Sequence, residues 1–506
     1  MKKPDNCVII IFGASGDLTR RKLIPAIYEL YKQNNLPEKF AVLGTASTEF
    51  TDPEFRDAMK SAILANESTA DEAEINDFTA KLSYFRMDFK DTSMYNELSL
   101  RIRNLSGTCG TECNYIFYLA TIPSLFAEIS LNLGRAGLNR SSNGYSRIIV
   151  EKPFGYDLGS AIELNKIMHT NFEESQIYRI DHYLGKETVL NILATRFANG
   201  IFEPIWNRNY VHHIEVTSAE NFGIENRGGF YETSGALRDM IQSHLLKLVS
   251  LIAMEPPSTF EPDAIRNELL KVLQSLRKLK PEEVEENVIR GQYIASTIKG
   301  RKIKGYREEK GVAPDSRTET YAAIKFYIDN WRWGGVPFYI RTGKQLPTRV
   351  TEAVIHFRKT PHFLFKESLN ISDNQLILRI QPDEGILLKF GMKEPGSGFK
   401  IHNVNMDFHY SDISNVNIPE AYERLLYDCM IGDSTLFLRA DAVEEAWKFV
   451  EPIQKAWADD QNVKIYGYPA GTWGPDIADD LIAGGEHITW RYPCKNLADD
   501  GVYCEL

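Results

Sequence analysis

The sequence predicts an α/β domain followed by a larger α+β domain. Short apolar runs alternate with helical patterns over the first 180 residues, which is typical of a doubly wound parallel sheet. From about Arg179 onward, longer runs alternate apolar and polar residues in period two, which predicts a mostly antiparallel sheet with one covered face and overlying helices. Domains commonly contain roughly 100 to 200 residues. We therefore divide the 506 residues into domains over 1–180 and 181–506.

The first domain begins with a strand, a glycine turn and a helix. Residues 8–12 form a continuous β-branched and aromatic run, the pattern of a strand that is buried on both faces. After the turn, apolar residues recur at helical spacing and predict a helix from residue 19 or 20 to residue 31. The other predicted elements are strands at 40–43, 115–120 and 147–150, a helix at 52–64, and a solvated loop or helix face at 66–77.

The second domain contains period-two strands and three helical stretches. The expected strands lie at 212–218, 321–328, 337–341, 353–358 and 374–380, and the expected helices lie at 262–290, 420–430 and 440–454.

Composition and charge exclude several classes of protein. The net charge is -11 and the basic residues are scattered, so we expect no nucleic-acid partner. No apolar stretch reaches the roughly 18 residues that a membrane-spanning helix needs, and the N-terminal apolar run is shorter than a signal-peptide core. The six cysteines show no CxxC spacing, so neither a disulfide framework nor a metal site is expected. We predict a cytoplasmic protein.

The glycine turn GASGDLTRRKL is the first candidate site. A glycine-rich turn between a strand and a helix lets the backbone approach a pyrophosphate, and the helix N-terminus offers unpaired N–H groups. Ser15 and Leu18 replace two glycines of the usual GxGxxG pattern, so a simple strand-to-helix turn remains an alternative. Basic residues at a helix N-terminus are unfavourable unless phosphates bind there. The candidate cofactor-binding residues here are Gly13, Ala14, Ser15, Gly16, Asp17, Leu18, Arg20 and Arg21.

The segment RIDHYLGKE, residues 179–187, is the second candidate site. His182, Tyr183 and Lys186 could supply an imidazole, a phenol and an ammonium to a dianionic phosphate. His244 lies in the helical pattern RDMIQSHLLKL, where a lone histidine could equally be a core residue. To act as a base it would need a carboxylate that orients its ring.

Five segments, taken in order, resemble the glucose-6-phosphate dehydrogenase family. They are GASGDLTRRKL, EKPFG at 151–155, RIDHYLGKE, GGFYETSGALRDMIQSHLL at 228–246 and IRTGKQLPTR at 340–349. The resemblance implies oxidation of glucose 6-phosphate with hydride transfer to a nicotinamide dinucleotide. It also implies a homodimer built through the large sheet.

The resemblance implies a role for each site residue. His244 is similar to the general base that takes the proton of the anomeric hydroxyl, and Asp181 to the carboxylate that orients it. His182, Tyr183 and Lys186 resemble the group that binds the phosphate. The remaining implied substrate residues are Glu220, Asp239 and Lys344 on the sugar, Lys152 between substrate and nicotinamide, and Arg349 as added positive charge.

One position departs from the family pattern and bears on the cofactor. Family members commonly carry an arginine after the second strand for the 2′-phosphate of NADP, but this chain has Ser47 and Thr48 there. Hydroxyls recognise phosphate more weakly than a bidentate guanidinium does. No acidic residue ends the strand as in NAD specialists, because Glu49 comes two residues too late. We predict NADP as the cofactor, with NAD also possible and Ser47 near the ribose.

Two other hypotheses remain open at this point. A glucose-fructose or inositol-type oxidoreductase would share the dinucleotide domain and the EKP segment, but would not require the phosphate-binding residues around Lys186. A catalytically inactive protein that senses the cofactor would be expected to lack the base, yet Asp181 and His244 are both present.

Overall fold

The computed structural model describes residues 2–67, 70–110, 113–141, 143–298, 300–360, 373–382, 384–396, 400–412, 419–460, 462–483 and 488–493. The chain forms two compact units. The first unit comprises Met1–Glu187, Pro257–Asn267 and Ile418–Glu444, and the second comprises Thr188–Pro256, Glu268–Asn417 and Glu445–Leu506.

The strands and helices are numbered in chain order. The strands are β1 Cys7–Phe12, β2 Phe40–Ala46, β3 Leu82–Arg86, β4 Tyr115–Leu119, β5 Ser146–Val150, β6 Ile177–Ile180, β7 Val211–Ala219, β8 Val288–Ile294, β9 Ser296–Ile298, β10 Arg301–Ile303, β11 Tyr321–Tyr327, β12 Pro337–Gly343, β13 Val350–Phe357, β14 Gln375–Gln381, β15 Gly385–Lys393, β16 Ile401–His409, β17 Phe437–Leu438 and β18 Tyr466–Pro469. The helices are α1 Ile24–Lys32, α2 Asp52–Asn66, α3 Glu72–Thr79, α4 Met94–Cys109, α5 Phe126–Arg135, α6 Leu158–Asn171, α7 Glu187–Phe197, α8 Gly228–Ala236, α9 Leu246–Ala253, α10 Pro262–Gln274, α11 Pro281–Asn287, α12 Ala421–Ile431, α13 Ala440–Asp459 and α14 Ile477–Ala483. Two π-helical segments, Thr19–Leu23 and Leu237–Leu245, lead directly into α1 and α9.

The first unit is built on a seven-stranded sheet in the order β17-β6-β5-β4-β1-β2-β3. Strands β1 to β6 are all parallel, and only β17 at the edge is antiparallel. Every residue of β1 is buried, as its apolar run predicts. The doubly wound prediction is therefore confirmed, and the predicted helix after the glycine turn is present with a π-helical first part.

The second unit is built on a nine-stranded, mostly antiparallel sheet in the order β16-β15-β14-β13-β7-β12-β11-β8-β18. The β7–β12 and β8–β18 pairs are parallel. The expectation of one covered face is wrong for the central strands, because every residue of β13 is buried. Tyr339 contacts Trp490 on one face, while Phe326, on the opposite face, packs against Phe449 of α13.

One local prediction needs correction, and the helical alternative is supported for another. The helix expected over 262–290 ends at Gln274, resumes as α11 and gives way to β8 at Val288. Lys280 precedes a proline and is extended, with φ −78° and ψ 155°, because a residue before proline disfavours the helical region. The acidic stretch at 66–77 contains most of α3, whose N-terminus is capped by Asp71 accepting a hydrogen bond from the Ala73 N–H.

In the described segments, every helix is too short or too polar to cross a membrane. Cys7, Cys113 and Cys429 are free thiols. Cys494 and Cys504, and the side chain of Cys109, lie outside the described residues.

Candidate active site

Most of the site residues predicted in the first unit lie at the carboxyl edge of the parallel sheet. Gly13 follows β1, Ser47 follows β2, Lys152 comes two residues after β5, and Asp181 follows β6 directly. Ligands of open parallel sheets bind at this edge, near the point where the strand order reverses. In the observed order that reversal lies between β1 and β4. The topology therefore brings the predicted cofactor residues to the expected edge.

The glycine turn has the geometry of a close backbone approach. Gly13 has φ +90°, and a Cβ atom there would lie 2.3 Å from the carbonyl oxygen of Ala120. The Gly13 carbonyl accepts hydrogen bonds from the Gly16 N–H at 2.9 Å and from the Thr19 hydroxyl at 3.1 Å. Leu18, at the start of the helix, supplies no side-chain cap. The first N–H groups of the helix are thus suited to a pyrophosphate.

The basic residues of the turn have protein partners. Arg21 forms an ion pair with Asp17 at 2.8 Å, and Lys22 forms one with Glu420 at 2.8 Å. Both pairs are exposed, so each stabilises the fold little. Bound phosphates are therefore not required to explain these charges, although Arg20 and Arg21 remain candidates.

Beside the end of β2 lies a basic residue that the sequence did not indicate as part of the site. Arg86, the last residue of β3, is the parallel register partner of Ala46. Its Nε donates a hydrogen bond to the main-chain carbonyl of Ser47 at 3.3 Å, and its Nη1 lies 3.1 Å from Glu49 Oε1. The Thr48 hydroxyl donates to the Ser15 hydroxyl at 2.8 Å, which ties this region to the glycine turn. A guanidinium therefore reaches the position after β2 from the neighbouring strand.

The EKP segment after β5 contains a buried carboxylate. Glu151 accepts a hydrogen bond from the Tyr118 hydroxyl at 2.5 Å. Burial raises the pKa of Glu151, while hydrogen bonds from Tyr118 and Tyr422 oppose the rise. The network fixes the backbone beside Lys152, which is joined to Pro153 by a cis peptide bond. Glu151 is thus placed to position Lys152 rather than to contact a ligand.

The segment after β6 turns back on itself. Asp181 is buried, and its Oδ1 accepts a hydrogen bond from the Tyr183 N–H at 2.9 Å. The Nζ of Lys186 lies 4.8 Å from the centre of the Tyr183 ring, and the rings of His182 and Tyr183 are 5.2 Å apart. The three predicted phosphate donors are therefore clustered, and an imidazole, a phenol and an ammonium are groups that can bind an anion.

In the second unit, Glu220 and Lys344 form a close ion pair between adjacent strand ends. The Nζ of Lys344 contacts Glu220 Oε2, and also lies 4.9 Å from the ring centre of Phe222. The main chain joins the same segments, since the Glu220 N–H donates to the Gly343 carbonyl at 3.1 Å. A sugar hydroxyl at this pair could donate to the carboxylate and accept from the ammonium. Arg349 is exposed, and nothing described links its side chain to this pair.

The π-helical segment Leu237–Leu245 carries Asp239 and His244. His244 is buried, with 1% of its surface exposed. The segment begins at a fixed point, because Glu319 Oε1 accepts a hydrogen bond from the Leu237 N–H at 2.9 Å. Gly235 has φ +63°, and a Cβ atom there would lie 2.4 Å from Glu319 Oε1. Glu319 therefore positions the segment, a role that the sequence did not indicate.

The second unit also contains a cluster of two histidines and a carboxylate. Glu215 Oε1 lies 2.7 Å from His356 Nε2 and 3.4 Å from His213 Nε2, and all three residues are buried. Burial lowers the pKa of His213 to about 4. The two rings are stacked 3.9 Å apart at 17°, and the Nε2 atoms of both lie near the same carboxylate oxygen. The cluster therefore places one buried carboxylate beside two imidazoles, outside the groups assigned to the sugar.

Family models match both parts of the chain. The model of the glucose-6-phosphate dehydrogenase NAD binding domain matches residues 10–191, and that of the C-terminal domain matches residues 193–491. The chain belongs to the glucose-6-phosphate dehydrogenase family. The resemblance predicted from the five sequence segments is confirmed.

Individual members of the family agree with this assignment over almost the full length. The chain is 53% identical to the glucose-6-phosphate 1-dehydrogenase of Aggregatibacter actinomycetemcomitans, over 97% of this chain and 98% of the relative. It is 48% identical to that of Treponema pallidum, over 99% of this chain and 98% of the relative. The family assignment decides against an unphosphorylated-sugar oxidoreductase.

Solved structures of the family share the fold. A glucose-6-phosphate dehydrogenase in complex with its substrate glucose 6-phosphate superposes with a TM-score of 0.89 at 34% identity, covering 97% of this chain and all of that one. The glucose-6-phosphate 1-dehydrogenase from Mycobacterium avium superposes with a TM-score of 0.84 at 38% identity, covering 97% of this chain and 99% of the other. The predicted fold class, a dinucleotide-binding domain followed by a larger antiparallel sheet domain, is thus confirmed.

Proposed function

We propose that this chain is a glucose-6-phosphate 1-dehydrogenase that oxidises glucose 6-phosphate to 6-phosphogluconolactone. The family membership over residues 10–191 and 193–491 carries this proposal. The described side chains support it, since the first unit has a cluster of an imidazole, a phenol and an ammonium and a close glycine turn, and the second has a carboxylate, an ammonium and a buried histidine.

The proposed roles follow from the chemistry of each group. Oxidation at the anomeric carbon removes a hydroxyl proton and a hydride, so the reaction needs a base with a pKa near the working pH. His244 is proposed as that base, with Asp181 orienting its ring. Glu220, Asp239 and Lys344 are proposed to hold the sugar oxygens, and Arg349 to add positive charge.

The substrate phosphate is proposed to contribute binding energy although it is remote from the reacting carbon. His182, Tyr183 and Lys186 are proposed to hold the phosphate, and Lys152 to reach between the sugar and the nicotinamide. Contacts remote from the reacting carbon can be used to hold that carbon in a reactive position. The network of Glu151 with Tyr118 supports this arrangement, because it fixes the backbone next to Lys152.

NADP is the proposed cofactor, and it accepts the hydride when bound. The glycine turn fits a pyrophosphate, since a side chain at Gly13 would collide with Ala120. Arg86 supports the choice of NADP over NAD, because its guanidinium lies beside Ser47, where the 2′-phosphate is expected. Glu49 pairs with Arg86 and could accept a hydrogen bond from a ribose hydroxyl of NAD, so use of both cofactors is part of the proposal.

A cytoplasmic homodimer is also proposed. The outer strand β16 of the large sheet is largely exposed and carries Met406, 61% exposed, while Met392 on β15 is 53% exposed. Exposed apolar side chains on an outer strand are suited to pairing with a second copy. Light scattering of the parent and of Met406→Glu tests this: a dimer that becomes a monomer is expected, and a monomeric parent would contradict it.

The decisive experiment mixes the purified chain with glucose 6-phosphate and NADP and follows the absorbance of the reduced cofactor. The expected result is turnover with glucose 6-phosphate and far less with glucose. Binding of both ligands without turnover would instead identify a cofactor-sensing protein. Faster turnover of an unphosphorylated sugar would overturn the proposed substrate.

A further inference from the structure

A cavity of about 260 Å³ in the second unit is lined by three arginines. Arg238, Arg290 and Arg317 share it with one carboxylate, that of Glu319. None of the residues proposed to bind the sugar or act as base lines this cavity. It is therefore distinct from the groups assigned to the reaction.

Two of the arginines are held in place by the same backbone segment. Arg290 donates from Nη2 to the Val463 carbonyl at 2.8 Å and from Nε to the Lys464 carbonyl at 3.2 Å. Arg317 donates from Nη2 to the Val463 carbonyl at 2.7 Å. The guanidinium of Arg290 also lies 4.9 Å from the ring centre of Trp457. Because both guanidinium groups are already fixed, their side chains would lose little conformational freedom when a ligand binds to their other N–H groups.

A buried donor lines the same cavity. Trp457 is 9% exposed, and no residue of the described segments accepts a hydrogen bond from its Nε1–H. The buried amide nitrogen of Gln454, also in the lining, is in the same situation. Leaving a buried N–H without an acceptor is unfavourable, so buried polar groups are normally satisfied. A ligand that accepts hydrogen bonds would satisfy these groups.

The charges in the cavity point to an anion. Burial lowers the pKa of Arg290 to about 10, and the neighbouring charge of Arg317 adds to that effect. The carboxylate of Glu319 is already engaged by the Leu237 N–H, and burial raises its pKa. One carboxylate therefore faces three guanidinium groups, and a bound anion would relieve their repulsion.

We propose that this cavity is a binding site for a phosphate group, either free phosphate or the phosphate of a small monoester. A tetrahedral dianion can accept from two guanidinium groups, an indole N–H and an amide at once, which matches the donors present. The cavity adjoins Leu237 and Arg238, at the start of the segment that carries Asp239 and His244.

Calorimetric titration with inorganic phosphate tests the site. The ionic strength is held constant with potassium chloride, because screening alone changes binding to charged sites. Measurements are made on the full chain carrying Lys186→Ala, which removes a donor of the proposed substrate site. One bound phosphate per chain is expected. A parallel titration with glycerol phosphate distinguishes the sources: tighter binding of the monoester indicates a phosphorylated metabolite, and equal or weaker binding indicates free phosphate.

Three further variants in the same background assign the binding to the cavity. Arg317→Gln and Trp457→Phe are each expected to weaken phosphate binding, by roughly tenfold or more for the arginine, since a charge-assisted contact is lost. Arg307→Gln is the matched control, because Arg307 is an exposed arginine of the same unit that donates to Gln292. Circular dichroism verifies that each variant is folded. Absence of binding, or equal binding by Arg317→Gln and Arg307→Gln, would overturn the proposal.

Discussion

Arg86 donates a hydrogen bond from its Nε to the main-chain carbonyl of Ser47, at 3.3 Å, from the end of the neighbouring strand. Ser47 stands where the family resemblance leads us to expect an arginine. A guanidinium is thus present at this corner of the sheet, supplied by β3 instead of by the loop after β2. We therefore expect the 2′-phosphate of NADP to be recognised by one exposed arginine, and no longer only weakly by hydroxyls.

We predict that Arg86→Ala lowers kcat/KM for NADP by about 10- to 100-fold and changes that for NAD by less than about threefold, since it removes a charge-assisted contact of about 1.5 to 3 kcal/mol. Steady-state kinetics with both cofactors measures the effect. Arg20→Ala is the matched control from the glycine turn and is expected to have a smaller effect. A larger loss in Arg20→Ala would assign the 2′-phosphate to the turn.

Ser47→Arg tests recognition of the 2′-phosphate by adding a guanidinium instead of removing one. In the Arg86→Ala background, Ser47→Arg is expected to restore NADP preference, because a guanidinium again reaches the 2′-phosphate. In the parent, the gain is expected to be smaller, since Arg86 and the new arginine would share one phosphate. Equal gains in both backgrounds would show that Arg86 does not contact the cofactor.

Lys186 supplies the next prediction. Its Nζ lies 4.8 Å from the Tyr183 ring centre, in the cluster proposed to hold the substrate phosphate. Lys186→Ala is expected to raise KM for glucose 6-phosphate by roughly tenfold or more and to leave kcat/KM for glucose nearly unchanged. Lys186→Arg, which keeps the charge, is the control and should retain more of the affinity. Equal weakening of both substrates would exclude a phosphate contact.

The sequence predicted the parallel sheet well because its strands are marked locally. β1 is a single apolar run, and it is buried throughout. The missed strand β3, with the sequence LSYFR, carries an exposed arginine at its end and little apolar periodicity. The residue that now supports the cofactor proposal is therefore one that local patterns could not assign.

Contacts between segments that are far apart in the chain could not be predicted from local sequence patterns either. Glu319 caps the segment of His244 from 82 residues away, and His356 meets Glu215 only because β13 pairs with β7. The period-two pattern of β7 predicted a strand but not that its second face would also be covered. A His-x-Glu alternation at 213 and 215 was the one local sign of the buried cluster.

Glu423 makes stability depend on pH. Burial raises its pKa to about 7, and the charge of Glu29 adds to the shift, while a hydrogen bond from the Glu420 backbone opposes it. An acid with a raised folded pKa binds protons more tightly when folded, so the contribution of Glu423 to stability is greatest at low pH and falls as pH rises from about 4.5 to about 7. Glu423→Gln is expected to raise the free energy of unfolding at pH 8 by about 1 kcal/mol, allowing for partial solvent screening, and by much less at pH 5.

Chemical denaturation at the two pH values measures this difference. Glu285→Gln is the matched control, because Glu285 is an exposed glutamate of α11 and should show little dependence on pH. A gain for Glu423→Gln that is equal at both pH values would mean that ionisation of Glu423 does not limit stability.

His244 provides the most direct test of the proposed chemistry. The residue is buried on a segment whose start is fixed by Glu319, so its imidazole has a defined position and little contact with solvent. Asparagine fits a similar space and keeps a hydrogen-bonding side chain, but it cannot take up a proton at the working pH. His244→Asn is therefore expected to lower kcat by about 100- to 10,000-fold, while KM for glucose 6-phosphate changes by less than about threefold. The pH profile of kcat/KM gives a second readout. In the parent, kcat/KM should increase with pH as the base loses its proton, and this increase should be absent in His244→Asn.

His402→Asn, at an exposed histidine of β16, is the control and should leave both kcat and the pH profile unchanged. A variant at His244 that keeps the same pH step, or that loses binding and turnover in equal measure, would assign the base to another residue and leave His244 as part of the core.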